Sequence, residues 1–70
     1  MNWIDIKEQI PELLRGESET ILGFLDGQYW TGKIEMEEED DIIQYNFYED
    51  IDWRMIHITH WAKLTPPKPK

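Results

Sequence analysis

The sequence contains no cysteine, which excludes disulfide bridges, thiolate metal sites and cysteine nucleophiles. It also lacks a Gly-rich phosphate loop and any hydroxyl residue in a recognisable nucleophile context. No apolar run is long enough to span a bilayer, and the first residues lack the basic-then-apolar order of a signal peptide. We therefore expect a cytoplasmic protein that is not an enzyme, needs no cofactor and does not bind a membrane.

Basic residues are scarce, with seven Lys and Arg against 15 Asp and Glu, so the formal net charge is −8. Such a field repels the phosphates of nucleic acid, and we expect no direct nucleic-acid binding. Nine of the 15 acidic residues lie between residues 35 and 52, which makes the field lopsided. A partner protein with a basic surface is therefore favoured.

The length of 70 residues predicts a single small domain, residues 1–70. A chain of this size buries only about 60% of the surface that its unfolded form exposes. The four Trp, three Tyr and two Phe residues are interpreted as mainly structural, because each buried aromatic brings a large contact area. Stability must come from this packing or from self-association.

The segment TILGFLDGQYWTGKIEM predicts a β-hairpin, because Asp26-Gly27 is typical of a two-residue type I′ turn. The turn fixes the expected partners: Leu25 with Gln28, Phe24 with Tyr29, Gly23 with Trp30, Leu22 with Thr31, and Ile21 with Gly32. The two glycines should leave room for an indole or a branched side chain. We expect Trp30 at the centre of the core face, which also carries Leu25, Ile34 and Met36.

Two other segments have weaker local signals. Asp5 precedes Glu8 by three residues, the spacing of a capping box, and Pro11 would stop a helix, so a short N-terminal helical turn is predicted. Six of the seven residues 35–41 are acidic, and a self-repelling run of this kind predicts a solvated loop over residues 37–41. The acidic patch consists of Glu37, Glu38, Glu39, Asp40 and Asp41. It lacks the residue pattern of a calcium-binding loop. An alternative role for the patch is mimicry of a nucleic-acid backbone.

The second half of the chain predicts two further strands, DIIQYNFY and WRMIHITHWAKL, joined by a turn at EDID. Prolines at 66, 67 and 69 end the sheet and define a Pro/Lys tail, residues 65–70. The expected fold class is α+β and mainly β: a small antiparallel sheet of two hairpins that can curl into an open barrel. Strands near residues 20–25 and 53–62 are apolar on both faces, so the second face needs a cover. The N-terminal segment can cover part of this second face, and a second copy of the chain in a homodimer or small oligomer can cover the rest.

The two histidines, His57 and His60, are three residues apart on a predicted strand and should point to opposite faces. They cannot share a metal ion in that arrangement, and we expect no metal site. Neither has a nucleophile or orienting carboxylate in a recognisable pattern, so no catalytic residue is assigned. A structural role is the simpler interpretation.

Exposed aromatics next to cations form the candidate interaction surface: Phe24, Tyr29, Lys33, Tyr48 and Arg54. The default role of the Phe24–Tyr29 pair is cross-strand support of the hairpin. If these residues surround a cleft, aromatic stacking beside a cation would suit a small nucleotide. The alternative function is therefore an oligomeric protein that sequesters a small ligand in an aromatic interface pocket, although the net charge opposes an anionic ligand.

The chain resembles the short phage and prophage proteins of domain-of-unknown-function family 551. The similarity lies in WIDI at residues 3–6, IPE at 10–12, TILGFLDGQYW at 20–30 and, most specifically, THWAKLTPP at 59–67; Thr65 departs from a common proline. The resemblance implies an accessory protein that binds a host protein in the host cytoplasm, as a countermeasure to host defence, and it implies no catalytic residue. The recognisable aromatic and histidine positions are assigned a structural role: Trp3, Trp30, His60 and Trp61.

Overall fold

The computed structural model describes residues 2–64, and this part of the chain is all-β. Eight strands form one curled antiparallel half-barrel sheet: β1 Ile4–Asp5, β2 Leu13–Leu14, β3 Glu17–Ser18, β4 Ile21–Leu25, β5 Gln28–Glu39, β6 Ile42–Glu49, β7 Met55–Ile56 and β8 His60–Lys63. Residues 2–64 contain no helix of the length and apolarity needed to cross a membrane. The predicted tail, residues 65–70, lies outside the described residues.

The predicted β4–β5 hairpin is confirmed. Asp26 and Gly27 both have positive φ, at 49° and 82°, as a type I′ turn requires. The five strand partners are those predicted, from Leu25 opposite Gln28 to Ile21 opposite Gly32. A two-residue turn of defined geometry therefore sets the register of the centre of the sheet.

The long strand β5 organises the sheet, because it pairs with three other strands. Its first part pairs with β4, and further along the same edge Glu35 pairs with Glu17 of β3. Its other edge pairs with β6 from Gly32 to Glu39. The remaining strands extend the two sides, with β8 and β1 beyond β4, β2 beyond β3, and β7 beyond β6.

The predicted N-terminal helical turn is wrong. Ile4 and Asp5 form β1 against Trp61 and His60 of β8, and a tight turn follows. The Asp5 carboxylate accepts a hydrogen bond from the Lys7 amide at 2.8 Å, two residues on, rather than capping a helix. Pairing with β8 thus overrides the local helix signal.

The predicted acidic loop over residues 37–41 is also wrong. Strand β5 continues through Glu39, and only Asp40 and Asp41 form the turn to β6, with φ of 51° and 65°. Aspartate tolerates this left-handed conformation better than most residues. The carboxylates stay exposed on the outer part of a two-stranded ribbon, so strand formation costs them little hydration.

The predicted final strand is interrupted. Its first part, β7, pairs with β6, whereas its last part, β8, pairs with β4 on the far side of the sheet. Residues 57–59 connect β7 to β8 across the sheet. The Ile58 amide donates a hydrogen bond to the Ile56 carbonyl at 2.9 Å, and the Thr59 amide donates one to the Phe24 carbonyl at 2.8 Å. The two predicted hairpins are therefore part of an eight-stranded half-barrel.

Phe47, rather than Trp30, lies at the centre of the core. It is almost fully buried and packs with Ile21, Ile34, Ile58 and Trp61. The two glycines leave room for its ring: an added Cβ at Gly23 or Gly32 would lie within 3 Å of Phe47 Cζ. Three residues expected on the core face differ, because Leu25 and Trp30 are only partly buried and Met36 is exposed.

Part of the second face is covered as expected. The Trp3 ring packs against Phe24 on that face, with centroids 5.4 Å apart. Trp61 is buried, and its indole N–H donates to the Gln9 carbonyl at 2.8 Å. Besides the β1–β8 pairing, the N-terminal segment is thus held to the sheet by an aromatic contact and a partly buried hydrogen bond.

Ser18 joins β3 to β5 through a buried hydroxyl. Its Oγ accepts from the Ile34 amide at 2.9 Å and donates to the Glu19 carbonyl at 2.7 Å. We expect Ser18→Ala to lower the free energy of unfolding by about 1–3 kcal/mol, because the Ile34 amide loses its partner away from water. Urea denaturation measures this, with Glu19→Ala at the exposed neighbour as the control. Equal stabilities of the Ser18 variant and the wild type would contradict this role.

Candidate protein-interaction site

Glu49, at the end of β6, is a buried carboxylate that organises the following loop. Its Oε1 accepts from the amides of Ile51 at 2.8 Å and Asp52 at 3.2 Å. Its Oε2 accepts from the amides of Asp52 at 3.1 Å and Arg54 at 3.3 Å, and from Arg54 Nε at 3.0 Å. The Glu49 side chain is 2% exposed. The loop backbone is therefore held from inside by a single side chain.

The hydrogen bonds also set the ionisation of Glu49. Burial alone would raise its pKa, but the bonds from the Arg54 side chain and from the amides of Asp52, Ile51 and Arg54 outweigh burial and lower the pKa from 4.5 to about 2. A carboxylate with its oxygens occupied and so low a pKa is a poor proton acceptor. We interpret Glu49 as a structural anion rather than a catalytic base.

The loop held by Glu49 displays two large apolar side chains. Ile51 is 84% exposed and Trp53 is 58% exposed. Trp53 also has φ of 58°, which is unusual for a bulky residue and persists only where surrounding contacts enforce it. Those contacts include a hydrogen bond from the Trp53 backbone amide to the Glu49 carbonyl at 3.1 Å. The loop is thus fixed, although its largest side chains contribute little to the core.

An apolar groove of about 220 Å³ lies beside this loop. Its lining combines the loop with the outer end of the β4–β5 hairpin: Leu22, Tyr29, Trp30, Thr31, Glu49 and Ile51. The Asp50 amide donates to the Thr31 carbonyl at 3.0 Å and so ties the loop to β5. We call the groove together with Ile51 and Trp53 the loop–groove surface.

The five residues of the candidate interaction surface do not share one cleft. Tyr29 lines the groove, and Arg54 is bound to Glu49 at the base of the loop. Phe24 instead packs between Trp3 and the His60 ring, which lies 6.1 Å away. Lys33 pairs with Glu17 at 3.5 Å. Tyr48 donates to the Glu37 carboxylate. The stacking platform with a free cation that a nucleotide would need is therefore not assembled from these residues.

The acidic patch lies on the ribbon formed by the outer halves of β5 and β6. The Glu37 carboxylate accepts hydrogen bonds from the Tyr48 hydroxyl and, at 2.7 Å, from Asn46 Nδ2. These hydrogen bonds lower the pKa of Glu37, and the hydrogen bond between Tyr48 and Glu37 raises the pKa of Tyr48. The two ion pairs found within residues 2–64 use Glu17 and Glu49, so the ribbon carboxylates leave their field uncompensated there. The patch can therefore attract cations over a distance.

The histidines are placed in different surroundings. His60 Nδ1 lies 2.9 Å from Thr59 Oγ1, and its ring packs edge-on to Phe24, while His57 borders a separate cavity. In the part of the chain that the structure describes, no three His, Asp or Glu side chains gather in a way that could hold a metal ion. The structural role of the two imidazoles stays a prediction.

Sequence reasoning missed Glu49, Ile51 and Trp53. The pattern of EDIDWR predicts a turn and the start of a strand, and its mixture of acidic and apolar residues does not reveal which carboxylate is buried. An available signal was the pair of large apolar residues inside a short acidic connection, which is an unusual composition for a turn. The five-residue spacing of Glu49 and Arg54 does not by itself predict their ion pair.

Comparison with known proteins gives no further guide to the site. No family model matches the chain. No curated protein and no solved structure matches it either. The resemblance to family 551 therefore stays a prediction, and the functional argument rests on the geometry of the loop and groove.

Proposed function

We propose that the chain is a non-enzymatic binding protein that docks onto a host protein through the loop–groove surface. The observation that carries the proposal is the loop fixed by buried Glu49, which presents Ile51 and Trp53 to solvent. The partner surface that fits is an apolar pocket with a basic rim. On the resemblance of its closing motif, we place the protein among phage or prophage accessory proteins, acting in the host cytoplasm, with a countermeasure to host defence as its role.

The energetics of binding favour this surface. Buried Trp and Tyr side chains dominate the binding energy of many interfaces, and here Trp53 and Tyr29 are both exposed in the free chain. A loop that is already ordered loses little conformational entropy on binding. The Glu49 hydrogen bonds supply that order, since they involve the amides of Ile51, Asp52 and Arg54.

The charge around the surface indicates the partner's chemistry. Asp50 and Asp52 flank Ile51, and the acidic ribbon lies at the other end of β6. These carboxylates would accelerate encounter with a basic surface and exclude acidic partners. Complex formation should therefore weaken as salt is added, because exposed charges are screened.

At the loop–groove surface, the geometry supports the small-ligand alternative less than it supports protein binding. The groove, at about 220 Å³, is smaller than the roughly 300–1,000 Å³ typical of small-molecule sites. Its one charged lining residue is the carboxylate of Glu49, whose Arg54 partner is already bound. An anionic nucleotide would meet no free cation in the groove lining.

Capture from bacterial host lysate tests the proposal with a matched pair of double variants. We expect wild type to retain one specific protein at physiological salt, and Tyr29→Lys/Ile51→Lys to bind it at least about 100-fold more weakly, because two anchors are lost and basic charge is added. Glu12→Gln/Leu14→Lys, which changes the net charge equally at exposed positions elsewhere, should bind like wild type. Equal binding by both variants, or no specific capture by wild type, would refute the proposal.

A further inference from the structure

Strand β6 has an open edge over residues 42–46. It pairs with β5 along one side from Ile42 to Glu49, but within residues 2–64 its other side pairs only with β7, at Phe47 and Tyr48. In an antiparallel sheet, alternate residues direct their main-chain groups to the same neighbour. The Glu49 amide donates a hydrogen bond to the Arg54 carbonyl at 3.0 Å, on the β7 side of β6. Ile43 and Tyr45 are an even number of residues from Glu49, so their main-chain N–H and C=O groups point to the same side, which is the open edge. They are available for pairing with another strand.

The composition of this edge differs from that of a protected one. Exposed edge strands usually carry Lys, Pro or a bulge that prevents pairing with another chain. Residues 42–48 contain no charge and no proline, in a chain where 31% of residues are charged. Ile43 and Tyr45 are 51% and 42% exposed, and exposed Met36 lies opposite Tyr45 in the register. An apolar extension of the core face is therefore left uncovered beside the open edge.

We propose that a second copy of this chain pairs with this edge, β6 to β6, in an antiparallel homodimer. A two-fold axis at Gln44 places Ile43 of each copy opposite Tyr45 of the other. Both residues point their main-chain groups outward, so the two pairs would form about four hydrogen bonds. The register is self-complementary, and each β6 edge would then be paired from residue 42 up to the start of its pairing with β7.

Charge favours a second copy over a basic strand of another protein. An added strand contacts the side chains of residues 42–46, which include no carboxylate to pair with Lys or Arg. The acidic residues lie on β5 and in the turn, and antiparallel pairing sends the two Asp40–Asp41 turns to opposite ends. Five paired residues separate them by roughly 14 Å, beyond the Debye length of about 8 Å at physiological salt. Repulsion between the two turns is thereby limited.

Light scattering after gel filtration tests the dimer directly. We expect a mass of about 17 kDa, twice the 8.5 kDa of one chain, and tighter association as salt screens the like charges of the two copies. Binding of a basic partner should show the opposite salt dependence. A wild-type mass near 8.5 kDa at a concentration of about 1 mM, above any useful affinity, would overturn the proposal.

Two double variants assign the surface. Ile43→Lys/Tyr45→Lys places Lys opposite Lys in both cross-strand pairs and should weaken the dimer at least about 100-fold. Tyr29→Lys/Ile51→Lys has the same net charge but leaves the edge intact, and it should dimerise like wild type even where capture of the host protein is lost. A folded edge variant that dimerises normally would overturn the proposal without affecting the proposed function.

Amide hydrogen exchange on wild type gives a test that needs no variant. In the dimer, the amides of Ile43 and Tyr45 should be protected and should lose that protection on dilution to monomer, at least about tenfold. The Gln44 amide, which faces β5, should stay protected at every concentration. Fast exchange of Ile43 and Tyr45 at concentrations where the protein is dimeric would place the interface elsewhere and overturn the assignment.

Discussion

Replacing Glu49 with Gln should lower the melting temperature at neutral pH by roughly 10 °C or more, one of the two largest single-residue effects that we expect. The glutamine amide retains one acceptor oxygen and turns an NH₂ group toward amides that also donate. The Arg54 guanidinium would lose its carboxylate partner at the same time. Thermal unfolding followed by circular dichroism measures the effect, with Glu19→Gln at an exposed position as the control.

The same carboxylate predicts the acid behaviour of the fold. The folded-state pKa of Glu49 is about 2, below the ordinary 4.5, so its ionised form is favoured by folding. Its contribution to stability is complete above about pH 4.5 and is lost as pH falls toward 2. The stability difference between wild type and Glu49→Gln should therefore shrink over this range. A constant difference from pH 6 to pH 2 would show that Glu49 does not act as a buried anion.

The second large effect should come from Gly32→Ala, which we expect to cost about 3 kcal/mol or more of unfolding free energy. An added Cβ would overlap the Tyr48 carbonyl oxygen and would lie 2.7 Å from Phe47 Cζ and 2.9 Å from Glu49 Cα. Two of these three atoms belong to the β6 backbone, so the clash cannot be relieved by a rotamer change. Small domains have only about 5–15 kcal/mol in total, and urea denaturation would show a clear shift of midpoint.

Gly23→Ala is the matched comparison, because it crowds the core without touching the backbone. Its nearest atoms would be Ile58 Cγ2 and Phe47 Cζ, each at 2.8 Å, and both belong to side chains that can shift. We expect a loss of about 1–2 kcal/mol. Equal losses for the two variants would contradict the close approach of β5 and β6 at Gly32.

The local turn chemistry of this chain was readable from the sequence, whereas its long-range pairing was not. Asp26-Gly27 predicts one turn type and hence five strand partners, and all five are confirmed. The sequence likewise predicts a structural role for Trp61, which is buried in the core. In contrast, the pairing of Ile4 with Trp61 joins residues 57 positions apart, and no local pattern indicates it.

The acidic run shows how a sound local rule can mislead. Like charges disfavour a packed strand, yet residues 37–39 extend β5 as half of an exposed ribbon, where their carboxylates keep contact with water. Bonds from Tyr48 and Asn46 to Glu37 add cross-strand support that depends on the register of β6. The rule predicts solvation correctly but not the backbone conformation.

The candidate site was only partly predictable for a related reason. Tyr29 and Arg54 were identified from the sequence, and the structure places one on the groove and the other at the base of the loop. The importance of Glu49 depends on its burial, which is known only once the loop amides of Ile51 and Asp52 close around it. Burial of a carboxylate is a property of the fold rather than of a segment.

Hydroxyl-radical footprinting of the protein, alone and with its captured host partner, tests the central claim most directly. In the free chain, Tyr29 and Trp53 should be oxidised readily, and buried Trp61 should not. In the complex, Tyr29 and Trp53 should lose most of that oxidation while Trp3 keeps its own. Protection that spares Tyr29 and Trp53 would contradict the loop–groove surface as the place where this protein binds its partner.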